Sequence, residues 1–99
     1  MNNVGAAGNF GTATAVSSER LCLVYDPVSG EILHTHRVVT FEGGTEPSED
    51  EIAHSAILLA QRRAGAGQRL EALHVERGAL EPGRRYRVDH TRKALITMQ

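Results

Sequence analysis

Two histidines separated by one residue have the clearest potential for metal chemistry in this sequence. His34 and His36 lie in the run EILHTHRVVTF, whose many β-branched residues are typical of a β-strand. Residues two apart on a strand project from the same face, so both imidazoles can reach one zinc or copper ion. Such an ion needs further ligands, and the candidates are His74, His90 and Cys22. The alternative is a polar patch on a half-exposed strand.

The register of the hairpin that contains these histidines decides whether Cys22 can join them. The turn DPVSG connects the histidine strand to the preceding apolar run LCLVY. A four-residue loop places His34 opposite Leu23, and the next pair on that face is then His36 opposite Leu21. A five-residue loop instead brings His34 opposite Cys22. The position of the glycine in the turn favours the four-residue loop, which counts against a site at Cys22.

Cys22 is the only cysteine of the sequence, so no internal disulfide can form. This usage suits the reducing cytoplasm. A catalytic thiol needs a lowered pKa and a partly exposed, positively charged setting. Cys22 lies within an apolar strand, which is the usual position of an inert core cysteine. We therefore do not expect Cys22 to act as a nucleophile with His34 as its base.

A cluster of basic and aromatic side chains near the C-terminus has the composition of a recognition surface. Arginines around an aromatic ring suit single-stranded nucleic acid, through phosphate pairing and base stacking. Alternation along a strand, however, separates Arg85 and Arg87 from Tyr86. The alternatives are a solvated strand face and pairing with the acidic segment 42–51, within one chain or across a dimer. We favour that pairing over nucleic acid. The predicted partner-binding residues are Arg84, Arg85, Tyr86, Arg87 and Arg92, of which Arg92, like its neighbour Lys93, is expected across the predicted hairpin from the others.

The charge is unevenly distributed along the chain, although the formal net charge is −1. Residues 1–60 contain two arginines and eight acidic residues, and residues 61–99 contain nine basic and four acidic residues. Ten of the eleven basic residues are arginine, a bias that a GC-rich genome also produces. Because a guanidinium group forms two-pronged pairs with carboxylates, the asymmetry favours ion pairing between the two halves, in one chain or in two.

The common catalytic motifs are absent from the sequence. It has no glycine-rich phosphate loop, no HExxH, no CxxC and no serine flanked by the glycines of a nucleophile elbow. A chain of 99 residues also has little room for a deep pocket. We therefore expect a non-enzymatic protein, with no cofactor beyond the zinc or copper considered above.

One helix is predicted, at residues 48–64, and the strands must pack around it. Ser48 and Glu51 fit a capping box, and acidic residues occupy the first turn, where the helix dipole is positive. Apolar residues then recur at three- and four-residue spacing from Ile52 to Ala60. Gly65 is expected to end the helix in a left-handed conformation.

Five strands are predicted, two before the helix and three after it. Apolar runs and turn signals place them at residues 21–25, 31–41, 70–77, 86–88 and 94–98. The order β-β-α-β-β-β predicts an α+β fold, in which a single amphipathic helix packs on one face of an antiparallel sheet.

The N-terminal segment differs in composition from the rest of the chain. Residues 1–18 contain no charged side chain and are mostly small or polar, so they are predicted to be a flexible tail. Residues 19–98 then form a single small domain. The sequence shows no secretory signal and no stretch that can span a membrane, so we expect a cytoplasmic protein.

Two predicted strand segments, residues 21–25 and 38–39, are apolar on both faces. One helix covers only one face of a sheet, so the tail or a second chain must cover the other, and we expect a symmetric homodimer. The sequence therefore predicts a small interaction or adaptor module that binds a protein partner through a sheet face or edge and the Arg-rich C-terminal hairpin. The alternatives are a metal-binding domain using His34 and His36, and nucleic-acid binding through the arginine cluster.

Overall fold

The helix and strands follow the predicted order. The computed structural model describes residues 15–65 and 67–98. All strand pairs are antiparallel, and the single helix of the described residues contacts the first three strands, which confirms the predicted α+β class. The elements are β1 (Val16–Tyr25), β2 (Ile32–Phe41), α1 (Glu49–Ala64), β3 (Glu71–Val75), β4 (Arg85–Asp89) and β5 (Ala94–Met98).

Helix α1 begins and ends where its capping residues predict. The Ser48 hydroxyl accepts a hydrogen bond from the Glu51 N–H at 3.2 Å, and the Glu51 carboxylate accepts one from the Ser48 N–H at 2.9 Å. Gly65 ends the helix with a φ of 109°. No helix in the described part of the chain is long and apolar enough to cross a membrane. The helix buries one residue per turn against the sheet: Ile52, Ala56 and Ala60.

The strands form two sheets, whereas the sequence analysis predicted one. The first sheet has the order β2-β1-β3, and β4 pairs only with β5 among the described residues. The Val88 N–H joins the two sheets by donating a hydrogen bond to the Gly30 carbonyl oxygen at 2.9 Å. Gly30 has a φ of 81°, and a Cβ at this position would collide with the Val88 carbonyl oxygen. Only glycine therefore permits this close approach of the two backbones.

The register between β1 and β2 changes within their hairpin. Next to the turn, Tyr25 pairs with Ile32, which is the register of the predicted four-residue loop. One step further from the turn, Val24 of β1 pairs with His34 and not with Leu33, because Leu33 is an extra residue on β2. Leu33 is therefore a β-bulge, and it shifts the pairing by one residue from Val24 to Ser18. Ser17 is then an extra residue on β1, which restores the first register at Val16.

This bulge makes the predicted pairing of the two histidines wrong. His34 was expected opposite Leu23, and His36 opposite Leu21. In the structure His36 lies opposite Cys22. A shift of one residue moves every side chain of a strand to the other face relative to its partner. Both histidines consequently share the face of β1 that carries Cys22.

Both faces of β1 are buried near the turn. Cys22 and Val24 face α1 and form a core with its buried residues. Leu23 and Tyr25 alternate with them, lie on the other face and are also 0 % exposed. The expected cover of that face is the N-terminal tail or a second chain.

The C-terminal hairpin of the same chain lies against this second face. The Tyr25 hydroxyl forms a hydrogen bond with His90 Nδ1 at 2.9 Å. Lys93, in the same turn, approaches Glu71 of β3 at 3.8 Å between Nζ and the carboxylate. A third layer therefore covers the Tyr25 end of the sheet, which the predicted one-sheet arrangement omitted.

Strand β1 begins before the predicted domain boundary at residue 19. Its first residue is Val16, which pairs with Phe41. The Ser17 hydroxyl donates a hydrogen bond to the Thr40 carbonyl oxygen at 3.1 Å, and the Glu42 N–H donates one to the Ala15 carbonyl oxygen at 2.8 Å. These bonds extend the hairpin into the segment predicted as a tail. The prediction for residues 1–14 lies outside the described residues.

We expect the substitution Thr40→Val to raise the free energy of unfolding by about 1 kcal/mol, because a buried hydroxyl without a hydrogen-bond partner is costly. Thr40 is 6 % exposed, and its Oγ1 has no partner among the described residues. Urea denaturation measures the change. The matched control Thr35→Val, at an exposed position of β2, should alter the stability by less than about 0.5 kcal/mol. A Thr40→Val protein less stable than the wild type would contradict the assignment.

Candidate functional site

A row of potential metal ligands crosses the three-stranded sheet on the face that packs against α1. Cys22, at the centre, lies opposite His36 of β2 and opposite His74 of β3. His34 follows on the same face of β2, with its ring centroid 5.7 Å from that of His36. The expectation that the hairpin register keeps Cys22 away from the histidines is therefore wrong.

These residues do not converge on a single point. Adjacent strands are about 4.8 Å apart, so the backbones of His36 and His74 are separated by about 10 Å, with Cys22 between them. His90 lies on the other side of the sheet, where it contacts Tyr25. Among the described residues, no group of three or more histidine, cysteine or acidic side chains is arranged to hold a metal ion. Zinc or copper binding by His34 and His36 stays a prediction.

His34 occupies an environment that disfavours its positive charge. Burial is the main cause, and the neighbouring His36 and Arg63 of α1 add to it, so the pKa of His34 is lowered from its ordinary value of 6.5. Its Nε2 atom is buried and has no hydrogen-bond partner among the described residues. No acidic side chain forms an ion pair with it in this part of the structure to offset these effects. His34 therefore favours the neutral form.

The lowered pKa of His34 predicts that the protein loses stability in mild acid. The unfolded chain binds this proton more readily than the folded chain, so the contribution is fully present above about pH 6.5 and decreases as the pH falls below that value. Urea denaturation at a series of pH values between neutral and mildly acidic measures the loss. His34→Gln should flatten this dependence, because the titrating group is removed.

The matched control for this titration is His54→Gln, since His54 is exposed on α1. The stability of the His54→Gln protein should change with pH as that of the wild type does. If His34→Gln and the wild type lose stability equally on acidification, the titration of His34 does not limit the stability.

The thiol of Cys22 is shielded from solvent and is influenced by a nearby carboxylate. The residue is 0 % exposed. Burial, and secondly the Glu49 carboxylate, raise the pKa of Cys22 to about 11. A thiol in this state is protonated at neutral pH and is a poor nucleophile. The structure thus gives Cys22 the environment of a core residue.

We expect Cys22 to react with a thiol reagent such as iodoacetamide only when the protein unfolds. The reaction needs both exposure and the thiolate form, and burial removes both. Mass spectrometry after labelling in buffer and in urea measures the difference. The unfolded protein should be fully alkylated while the folded protein is essentially unmodified. Rapid labelling of the folded protein would show that this thiol is accessible.

The arginine cluster divides between the two faces of the C-terminal hairpin. Arg85 and Arg87 are exposed and project from the same face of β4. Tyr86 lies on the other face, where its hydroxyl accepts a hydrogen bond from the Glu81 N–H at 2.8 Å. The predicted separation of the two arginines from the aromatic ring is therefore confirmed. Across the ladder, Arg85 and Arg87 lie opposite the two apolar residues Met98 and Ile96.

The other basic residues of the cluster have local acidic partners. Arg84 pairs with Glu81 at 3.1 Å, and Arg92 pairs with Asp89 at 3.7 Å. Arg92 and Lys93 occupy the turn that follows Asp89, so they do not lie across the hairpin from Arg85, as the sequence analysis placed them. The register of β4 and β5 puts this turn at the opposite end of the hairpin.

Arg85 and Arg87 pair with no acidic side chain among the described residues. Their predicted partner, the acidic segment 42–51, forms ion pairs with Arg20 instead, through Glu46 at 3.0 Å and Glu49 at 3.8 Å. The intramolecular form of the predicted pairing is therefore wrong, because a β1 arginine lies closer to the acidic segment. A cleft of about 520 Å³ lies beside Arg85 and is lined by Gly83, Arg84, Arg85, Thr97 and Met98.

A charged bridge that the sequence analysis did not identify crosses the second face of the three-stranded sheet. The Glu19 carboxylate of β1 pairs with Arg37 of β2 and with Arg77, which follows β3, the latter at 3.0 Å. The Glu19 side chain is only 11 % exposed. The three residues are distant in sequence, and only the strand register brings them together. This end of the face is consequently polar.

Similarity to known proteins does not assign a function to these surfaces. The chain matches no protein-family model, no curated protein and no solved structure. Any assignment of function therefore depends on the contacts and charges described above. Among these, the exposed arginine pair of β4 is the feature with the most specific chemistry.

Proposed function

We propose that the protein is a small, non-enzymatic interaction module that works as a homodimer and binds a protein partner through its Arg-rich C-terminal hairpin. The observation that carries this proposal is the position of Arg85 and Arg87, which are exposed on one face of β4 without an acidic partner among the described residues. Two such guanidinium groups suit a partner that carries carboxylates.

The geometry of the pair favours an extended acidic segment. Residues two apart on a strand are separated by about 6.6 Å, which is also the spacing of alternate side chains on an extended peptide. Each guanidinium group has a fork of N–H donors that matches one carboxylate. Ile96 and Met98, opposite the arginines on β5, add apolar surface for the residues between two acids. The preferred partner is therefore a segment in which acidic and apolar residues alternate.

Nucleic acid fits this surface less well than a protein does. Recognition of single strands depends largely on bases that stack on aromatic rings. The nearest ring, Tyr86, lies on the opposite face of β4 and is held there by its hydrogen bond to the Glu81 N–H. Phosphate pairing with two arginines remains as the only attraction, so binding to single-stranded DNA should be weak and strongly salt-dependent.

Self-association is the second part of the proposal. The C-terminal hairpin lies against one end of the second sheet face, and the charged bridge of Glu19 occupies the other end. These contacts make the face less suited to an apolar dimer interface. The outer edges of β2 and β3 pair with no other strand among the described residues, so an edge is the better surface for a second copy.

Replacement of both arginines, Arg85→Gln with Arg87→Gln, should weaken binding of a fluorescein-labelled peptide of alternating glutamate and leucine by about tenfold or more at low salt, because two charged hydrogen-bonding groups are lost. Fluorescence anisotropy measures the affinity. The matched control is Arg62→Gln with Arg63→Gln, two exposed arginines at the end of α1, which removes the same charge. The control protein should retain most of the affinity.

Two results would count against partner binding by this hairpin. Equal losses in the two double variants would show that net charge, and not this surface, attracts the peptide. Tighter binding of single-stranded oligothymidylate than of the peptide at equal salt would favour nucleic acid as the partner. Circular dichroism of each variant checks that the fold is intact.

A further inference from the structure

The outer edge of β2 is the longest unpaired strand edge in the described part of the chain. Strand β2 has 10 residues and lies at one end of the sheet order β2-β1-β3, whereas β3, at the other end, has 5 residues. Unpaired edges attract further strands unless bulges or charges protect them. The half of β2 nearer the turn carries the Leu33 bulge, but the residues from Val38 to Phe41 are uncharged.

The hydrogen bonds of the first hairpin reveal which backbone groups of β2 face outward. The Thr40 carbonyl oxygen and the Glu42 N–H both bond to residues of the β1 side, at Ser17 and Ala15. Backbone groups of an antiparallel strand point alternately to its two sides. The N–H and carbonyl groups of the odd-numbered residues, Thr35, Arg37 and Val39, therefore point away from β1, toward the free edge.

The regular part of this edge has a natural centre. It begins after the bulge at Leu33 and extends to Glu42, which still bonds to the β1 side. The second register shift of the hairpin inserts its extra residue, Ser17, on β1, so β2 has no extra residue in this segment. Val38 is the midpoint of this segment, with four residues on each side. Two antiparallel copies of the segment overlap completely only when their two-fold axis passes through this residue.

We propose that a second copy of this chain adds to the edge of β2, with the two β2 strands antiparallel about a two-fold axis at Val38. The result is a continuous six-stranded sheet. In this register Arg37 of each copy lies opposite Val39 of the other, and both residues have outward-facing backbone groups. Each such pair exchanges two hydrogen bonds, as in an ordinary antiparallel ladder.

The side chains that this register places opposite each other are compatible with a second copy of the chain. His34 of one copy lies opposite Glu42 of the other, and Glu42 is exposed without a basic partner among the described residues. Phe41, which is 50 % exposed, lies opposite Thr35. An axis through Arg37 would instead place two arginines directly opposite each other, which is destabilising. About Val38, in contrast, no two like charges lie opposite each other, and the neutral His34 lies opposite a carboxylate.

A cysteine at the axis tests the register. Val38 would form a non-hydrogen-bonded pair with its copy, with Cα atoms about 4.5 Å apart, which is within disulfide range. Val38→Cys should therefore form a disulfide dimer under mild oxidation, seen on a non-reducing gel. In the control Thr35→Cys, the two new cysteines lie about 20 Å apart in the proposed dimer, so this more exposed thiol should cross-link far less.

Blocking the edge tests the interface without any cross-link. Val39→Pro removes an N–H that the hairpin with β1 does not use, so native mass spectrometry should show a monomer. The control Val39→Thr keeps the N–H and should remain a dimer. If circular dichroism shows that Val39→Pro fails to fold, the cross-linking of Val38→Cys compared with that of Thr35→Cys decides whether the β2 edge is the interface.

This inference rests on the homodimer in the proposed function, and its failure can be distinguished from failure of that proposal. A wild-type dimer in which Val38→Cys cross-links no better than Thr35→Cys would overturn the interface but leave the homodimer. A wild-type monomer at micromolar concentration would overturn both. Peptide binding by Arg85 and Arg87 is measured separately and is not affected by either result.

Discussion

The burial of β1 on both of its faces is the constraint on which the rest of the structure depends. Four consecutive residues, Cys22, Leu23, Val24 and Tyr25, have no exposed surface. Removing a large apolar side chain from water contributes about 1.5–3 kcal/mol. The helix covers two of these side chains, and the C-terminal hairpin contacts the other face. Both neighbouring layers are therefore necessary for the central strand, and their positions determine which surfaces stay free for binding.

The sequence predicts best those elements whose signals are local. The capping box of Ser48 and Glu51 and the stop at Gly65 define α1 because the bonds they make are within the same turn. The last strand, at residues 94–98, also matches its prediction. The first residues of β1 were not predicted as strand, because Val16 and its neighbours lack the apolar pattern typical of a strand. Their pairing with β2 depends on hydrogen bonds to residues more than twenty positions away.

The contacts within the candidate sites depend on strand register and tertiary structure, which local sequence patterns do not determine. No glycine or proline marks Leu33 as a bulge, so the sequence could not place His36 beside Cys22. Strand alternation did predict that Arg85 and Arg87 project away from Tyr86. Strand alternation could not predict which arginine pairs with the acidic segment 42–51. That partner is Arg20, which only the folded chain brings close to the segment. Glu19 and its arginines were missed for the same reason: their proximity exists only in the assembled sheet.

The backbone contact between Gly30 and Val88 has a consequence for how the chain folds. The hydrogen bond between Tyr25 and His90, beside this contact, spans 65 positions, so it closes a long loop and forms late. The first hairpin, in contrast, is local and is complete as soon as its own strands are available. During synthesis, Leu23 and Tyr25 therefore remain open to water on one face until β4 and β5 have emerged from the ribosome.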